Sequence, residues 1–211
     1  MGFLKKIFGS KDKYGGYIKE LDLLGFWKEL SEEERNKIRE YSKQALNVNT
    51  KYEIDDPDYK ISNTTFTADN FLTSKAECAL KDKEFELSQK LLDKALEYNK
   101  NAENLHFIYN SLIKLYYKQR DDEKFLNKCI EICKKDIELY EDKLIKMDTD
   151  VINEDTKIPS FQRLAIIYEK KGEYKKAIDI CKKAIKYNLR DTSKAGFEGR
   201  LERLEKKLNK D

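Results

Sequence analysis

Residues 161–188 read Phe161-Gln162-Arg163-Leu164-Ala165-Ile166-Ile167-Tyr168-Glu169-Lys170-Lys171-Gly172 and then Glu173-Tyr174-Lys175-Lys176-Ala177-Ile178-Asp179-Ile180-Cys181-Lys182-Lys183-Ala184-Ile185-Lys186-Tyr187-Asn188. In the first half Phe161, Leu164, Ala165 and Tyr168 recur at spacings that stack them on one face of a helix. Gly172 then stands where a helix ends on a left-handed residue. In the second half Ala177, Cys181 and Ala184 share one face, and all three are small enough to let a second helix come close. Two amphipathic helices about a glycine turn make a helix hairpin.

The second helix of this hairpin has two counterparts upstream. They are Glu84-Phe85-Glu86-Leu87-Ser88-Gln89-Lys90-Leu91-Leu92-Asp93-Lys94-Ala95-Leu96-Glu97-Tyr98-Asn99 and Lys128-Cys129-Ile130-Glu131-Ile132-Cys133-Lys134-Lys135-Asp136-Ile137. Slender residues fall in register: Ser88, Leu92 and Ala95; Cys129, Cys133 and Asp136; Ala177, Cys181 and Ala184. A leading stripe precedes each copy. Leu72, Ala76 and Ala79 lead the first, with Lys83 in place of the turn glycine, and Leu112, Ile113 and Tyr116 lead the second. The second hairpin is longer by about one helical turn, so its helices can extend and stay in phase.

This helix–turn–helix resembles the tetratricopeptide repeat: Leu164, Ala165, Tyr168, Gly172, Tyr174, Ala177 and Ala184 fall at that motif's spacings, although Leu189 stands where its closing proline would be. Steps of 41 and 48 from Ser88 to Cys129 to Ala177 exceed the family's repeat of about 34 residues. The resemblance covers residues 69–189 and implies an all-α, helix-hairpin repeat array of about three hairpins. The alternative from the residues alone is a non-repeat helical bundle, which is also all-α.

Segments 1–13, 14–46, 47–68 and 190–211 flank the repeats. Residues 1–13 are basic and amphipathic. Residues 14–46 read as a helical pair: Tyr17, Ile18, Leu21 and Leu24 form a stripe that Gly25 breaks, and Ser31-Glu32-Glu33-Glu34 reads as a capping box. Ile38, Tyr41 and Ala45 line that second helix, with Trp27 and Leu30 beneath as core. In 47–68, Tyr52 and Ile54, then Tyr59 and Ile61, alternate about Asp55-Asp56-Pro57-Asp58, as in a small hairpin or an ordered loop. In 190–211, Asp191-Thr192-Ser193 offers a cap, and Phe197, Leu201, Leu204 and Leu208 form the stripe of a capping helix.

Composition narrows the function. The 211 residues carry 39% hydrophobic and 39% charged side chains, only 2 Pro and 8 Gly, and a net charge of +3. That suits thin helical layers, each burying one stripe. The excess positive charge sits at the two ends, short of the concentrated basic field of a nucleic-acid binder, so no nucleic-acid partner is expected. No stretch is long and apolar enough to span a bilayer, and residues 1–8 lack the pattern of a secretory signal. The expected compartment is the cytoplasm, where the Asn63-Thr64-Thr65 sequon is chance. Phe3, Leu4, Ile7 and Phe8 with Lys5 and Lys6 can touch an anionic membrane weakly, which would need a second signal for attachment.

Catalytic and metal motifs are sparse. His106 is the single histidine, so a paired-histidine metal site is impossible within one chain. Cys129 and Cys133 share a face, but together with Cys78 and Cys181 they read as reduced core residues. Asp148, Asp150, Asn153 and Asp155 lack the glycine and glutamate of a calcium loop. There is no phosphate loop, nucleophile elbow or dinucleotide fingerprint. No cofactor, metal or enzymatic activity is expected.

What remains is a protein- or peptide-binding scaffold. The resemblance implies a concave face lined by the first helices of the hairpins, whose inward positions here are Thr73, Glu77, Asn110, Lys114, Tyr117, Gln162, Ile166 and Lys170. Thr73 and Glu77 stand where the family's carboxylate clamp has its first Lys and Asn, so that specificity is not expected. The mixture suits a polar peptide with an apolar anchor at Tyr117 and Ile166. Alternatives are a regulator that senses a small peptide, and a peripheral membrane adaptor.

Overall fold

A computed structural model describes residues 13–46, 54–61, 64–143 and 158–209, with side chains of the third helix described as far as residue 43. Among these residues there are ten helices and no strand: α1 (Gly16–Glu20), α2 (Leu24–Glu29), α3 (Glu32–Leu46), α4 (Ala68–Lys81), α5 (Phe85–Tyr98), α6 (Ala102–Lys118), α7 (Glu123–Asp142), α8 (Pro159–Lys170), α9 (Tyr174–Lys186) and α10 (Gly196–Leu208). The protein is all-helical, with helices packed against their neighbours in the chain. It divides into two compact units, residues 1–98 and 99–211, and the division falls inside the 69–189 stretch.

In the first unit, α4 and α5 form an antiparallel hairpin. Ser88, Leu92 and Ala95 are fully buried against α4, and the Ser88 hydroxyl donates to the Ala76 carbonyl at 3.0 Å. Leu72, Ala76 and Ala79 fill the facing stripe. Ahead of them, α3 opens on the expected capping box: Ser31 N donates to Glu34 Oε2 at 2.7 Å and Glu34 N to Ser31 Oγ at 3.1 Å, which satisfies two amides at the helix start.

Two expectations for the flank change. Gly25 lies within α2; the chain turns at Asp22, which takes a positive φ of 56°. The alternation around 52–61 does not make strands. Tyr52 lies outside the described residues, and Ile54, Tyr59 and Ile61 occupy a loop of turns. That loop is held by Asp55, a buried carboxylate that accepts from Trp27 Nε1 at 2.9 Å and from Arg39 at 2.7 Å. Its backbone also accepts from Gly15 N at 2.8 Å. Gly16 (φ +51°) lets the chain pass there, since a Cβ would meet Ile54 O at 2.5 Å. Trp27 is a core residue, 1% exposed.

In the second unit each helix packs on the next, from α6 through α10, and α6 also touches α8. Cys129, Cys133 and Asp136 on α7 and Ala177, Cys181 and Ala184 on α9 are fully buried. The extra turn of the second hairpin sits within its helices, as α6 and α7 run 17 and 20 residues against 12 and 13 for α8 and α9. Tyr140, Phe161 and Tyr187 interlock edge to face, with centroids 5.6–6.4 Å apart.

At the C-terminal end the expected Asp191 cap is overturned. Asp191 is buried and pairs with Arg200 at 2.8 Å, while α10 starts five residues later with no side-chain cap. A buried carboxylate gains more from a guanidinium than from exposed helix amides.

Candidate functional site

The chemistry-bearing side chains of the second unit gather where α6 meets α7 and α8. At one end, His106 Nδ1 lies 2.7 Å from Asp136 Oδ1, and Asn110 Nδ2 lies 3.0 Å from His106 Nε2. The carboxylate only accepts, so Nδ1 carries the proton and Nε2 accepts from the amide. The spacing of His106 and Asn110 puts both on one face of α6. Asp136 Oδ2 and Asn110 Oδ1 are buried with no hydrogen-bond partner among the described residues.

A histidine oriented by a buried carboxylate is half of a general-base arrangement. The other half needs a nucleophile at Nε2, and an amide occupies that position. Cys133, one turn before Asp136, has its thiol pushed well above the ordinary range by burial and by its hydrogen bond with Cys129, which keeps it protonated and unreactive.

Further along α6 is a cationic stack. Arg163, on α8, places Cζ 3.7 Å from the Tyr117 ring centroid, and Arg120 places its own at 4.6 Å. Arg120 also donates to the Tyr117 carbonyl at 2.9 Å. Among the described residues neither guanidinium is paired with a carboxylate. Delocalised guanidinium on an aromatic face is favourable, and it leaves the outer N–H groups of both arginines for an anion.

The expected face residues separate. Thr73 and Glu77 belong to the first unit, and the other six to the second. Thr73 is buried and its hydroxyl donates to the Asp69 carbonyl at 2.7 Å, so it presents nothing to a ligand. Glu77 is half-buried. Gln162 is spent inside the fold, donating to Asp191 at 2.8 Å and Thr192 at 2.6 Å. Asn110 is held by His106. Tyr117 and Ile166 are half-buried, and Lys114 and Lys170 are exposed.

The sequence reading missed Arg163, Arg120 and the His106–Asp136 contact. One signal existed for the last: Asp136 occupies the column filled elsewhere by Ala95 and Ala184, and a carboxylate in a buried column demands a partner. Arg163 had no such signal, because its ring lies 46 positions earlier in the chain.

No group of His, Cys, Asp and Glu among the described residues is arranged to hold a metal ion, and no helix among them is long and apolar enough to cross a membrane. The acidic stretch Asp148–Asp155 and the basic segment 1–8 lie outside the described residues.

No protein-family model matches the chain. It is similar to an uncharacterized protein of Aquifex aeolicus (strain VF5), at 27% identity over 183 residues that cover 85% of this chain and 87% of the relative.

Proposed function

We propose that the chain is a non-catalytic binding scaffold of the tetratricopeptide kind, whose second unit holds an extended polar peptide against the α6–α8 face. The observation that carries this reading is the Arg163–Tyr117–Arg120 stack, a half-buried ring under two guanidinium groups with no carboxylate among the described residues. Two features support the repeat architecture. The nine slender residues of α5, α7 and α9 are all fully buried, and Lys83 and Gly172 take the same left-handed conformation at the ends of α4 and α8.

The chemistry selects the partner's character. Unpaired guanidinium favours a carboxylate, and bidentate geometry gives it direction. The partner segment therefore carries at least one acidic side chain or a free C-terminus, with an apolar group against Tyr117 and Ile166.

The test is capture of the partner from native lysate by the full chain, followed by titration of the identified segment against variants. Tyr117→Ala is expected to weaken binding by about 2 kcal/mol or more. Arg163→Gln is expected to weaken it through charge, with an effect that shrinks as salt rises. If both variants keep the parent's circular dichroism and bind the segment as tightly as the parent, the α6–α8 face is not the site.

A further inference from the structure

The first unit contains a cavity of about 200 Å³ lined by Tyr17, Ser42, Ile54, Phe66, Phe71, Lys75 and the exposed Ser74. The lining is mostly apolar. Tyr17 and Phe66 meet edge to face with centroids 6.3 Å apart, and Phe66 is 41% exposed although it is a large hydrophobic residue. Ser42 already donates to Ile38 O at 2.8 Å, so it contributes little unsatisfied polarity.

Lys75 is the anomaly. It is 4% exposed, and its Nζ rests 5.2 Å from the Phe71 ring centroid. Among the described residues it has no carboxylate partner and no hydrogen bond. Its stem is buried while the ammonium keeps some contact with water, and it faces no anion among the described residues. Lys81, the other lysine of α4, is exposed, whereas Lys75 lines a pocket. Burial without a compensating anion also pushes its pKa down.

From the cavity and the unpaired ammonium within it, we infer that the first unit binds a small monocarboxylate whose body is about one aromatic ring or a short aliphatic chain. Size sets the body, since an apolar cavity of about 150 Å³ accommodates benzene and drug-sized ligands need about 300 Å³ or more. Charge sets the head group: the carboxylate pairs with Lys75 Nζ, and the largely apolar lining strengthens that pairing. The rings of Tyr17, Phe66 and Phe71 pack against the body, with Phe66 at the entrance. This site lies within the first unit and is independent of the α6–α8 face, so either reading can fail without the other.

Phenylacetate is the probe, titrated into the full chain and followed by isothermal calorimetry and by the thermal midpoint. Saturable binding at one site per chain is expected, and the uncharged phenylacetamide is expected to bind at least 10-fold more weakly. Lys75→Met, which replaces the ammonium with an apolar group of similar length, is expected to keep the fold and to lose at least 10-fold in phenylacetate affinity. On the unaltered protein, nuclear Overhauser contacts from the ligand ring should go to Phe66 and Phe71, a readout that does not depend on how the variant folds. No saturable binding, equal affinity for acid and amide, unchanged affinity in a folded Lys75→Met, or ligand contacts elsewhere would each overturn the proposal.

Discussion

Lys83 holds a backbone conformation that suits glycine, with φ at +65°. It ends α4 with two bonds that close the last turn: Glu84 N to Ala79 O at 2.8 Å and Lys83 N to Leu80 O at 3.4 Å. Gly172 (φ +73°) ends α8 in the same way, through Glu173 N to Tyr168 O at 2.9 Å, and both are the pattern that caps a helix with a left-handed residue. A Cβ in that region costs about 1–2 kcal/mol, offset in part by the extra freedom glycine has when unfolded. Lys83→Gly is therefore expected to raise stability by up to about 1 kcal/mol. Gly172→Ala, at a site where a Cβ meets nothing within 4 Å, is expected to lower it by about 1 kcal/mol. Urea denaturation with an unchanged slope checks both, and a loss of stability in Lys83→Gly would mean that the lysine side chain outweighs its strained backbone.

Between elements, α8 and α10 are joined by ion pairs. Glu169 accepts from Arg203 at 3.0 Å and from Lys207 at 2.9 Å, with Arg200 at 3.5 Å. Its side chain is 14% exposed, and hydrogen bonding from Arg203, ahead of Lys207, holds its pKa down to about 2 from an ordinary 4.5. The sign follows from a depressed folded-state value. The contribution is fully present above about pH 4.5 and is lost as pH falls through about 2. Because Arg203 and Lys207 are themselves largely solvated, the size is on the order of 1 kcal/mol. Glu169→Gln removes the titrating group, so its stability should fall less steeply than the parent's between pH 4.5 and 2 in parallel denaturation series. Equal acid losses in the two proteins would show that the cluster adds nothing to the α8–α10 contact.

For the molecule as a whole, the cysteines report on integrity. Cys129, Cys133 and Cys181 are fully buried in the second unit, whereas Cys78 in the first is half-buried. Burial pushes the Cys181 thiol up to about 12 and Cys133 well above its ordinary value. The hydrogen bond with Cys133 lowers the pKa of the Cys129 thiol, but a reagent must also reach the sulfur, which is buried. Native protein treated with a disulfide reagent should therefore release colour quickly from at most one thiol, and from all four after denaturation. Fast reaction of three or four thiols without denaturant would mean that the second unit opens readily under native conditions.

What the sequence determined alone is what a window of one or two turns contains. The slender trios, the capping box at Ser31–Glu34, the end of α8 at Gly172 and the all-helical class are consequences of spacing, because helix geometry makes residues three and four apart neighbours. What tertiary structure decided is where the charges and polar groups lie. Asp55 meets Trp27 and Arg39 across 28 and 16 positions, and Asp136 meets His106 across 30. Asp191 reads locally as a helix cap and folds as a buried ion pair. Lys75 lies in a stretch of α4 with no local signal of a cavity, and it lines one. A buried charge is stabilised by whichever oppositely charged or polar group the packing brings to it, and packing joins segments that no local pattern connects.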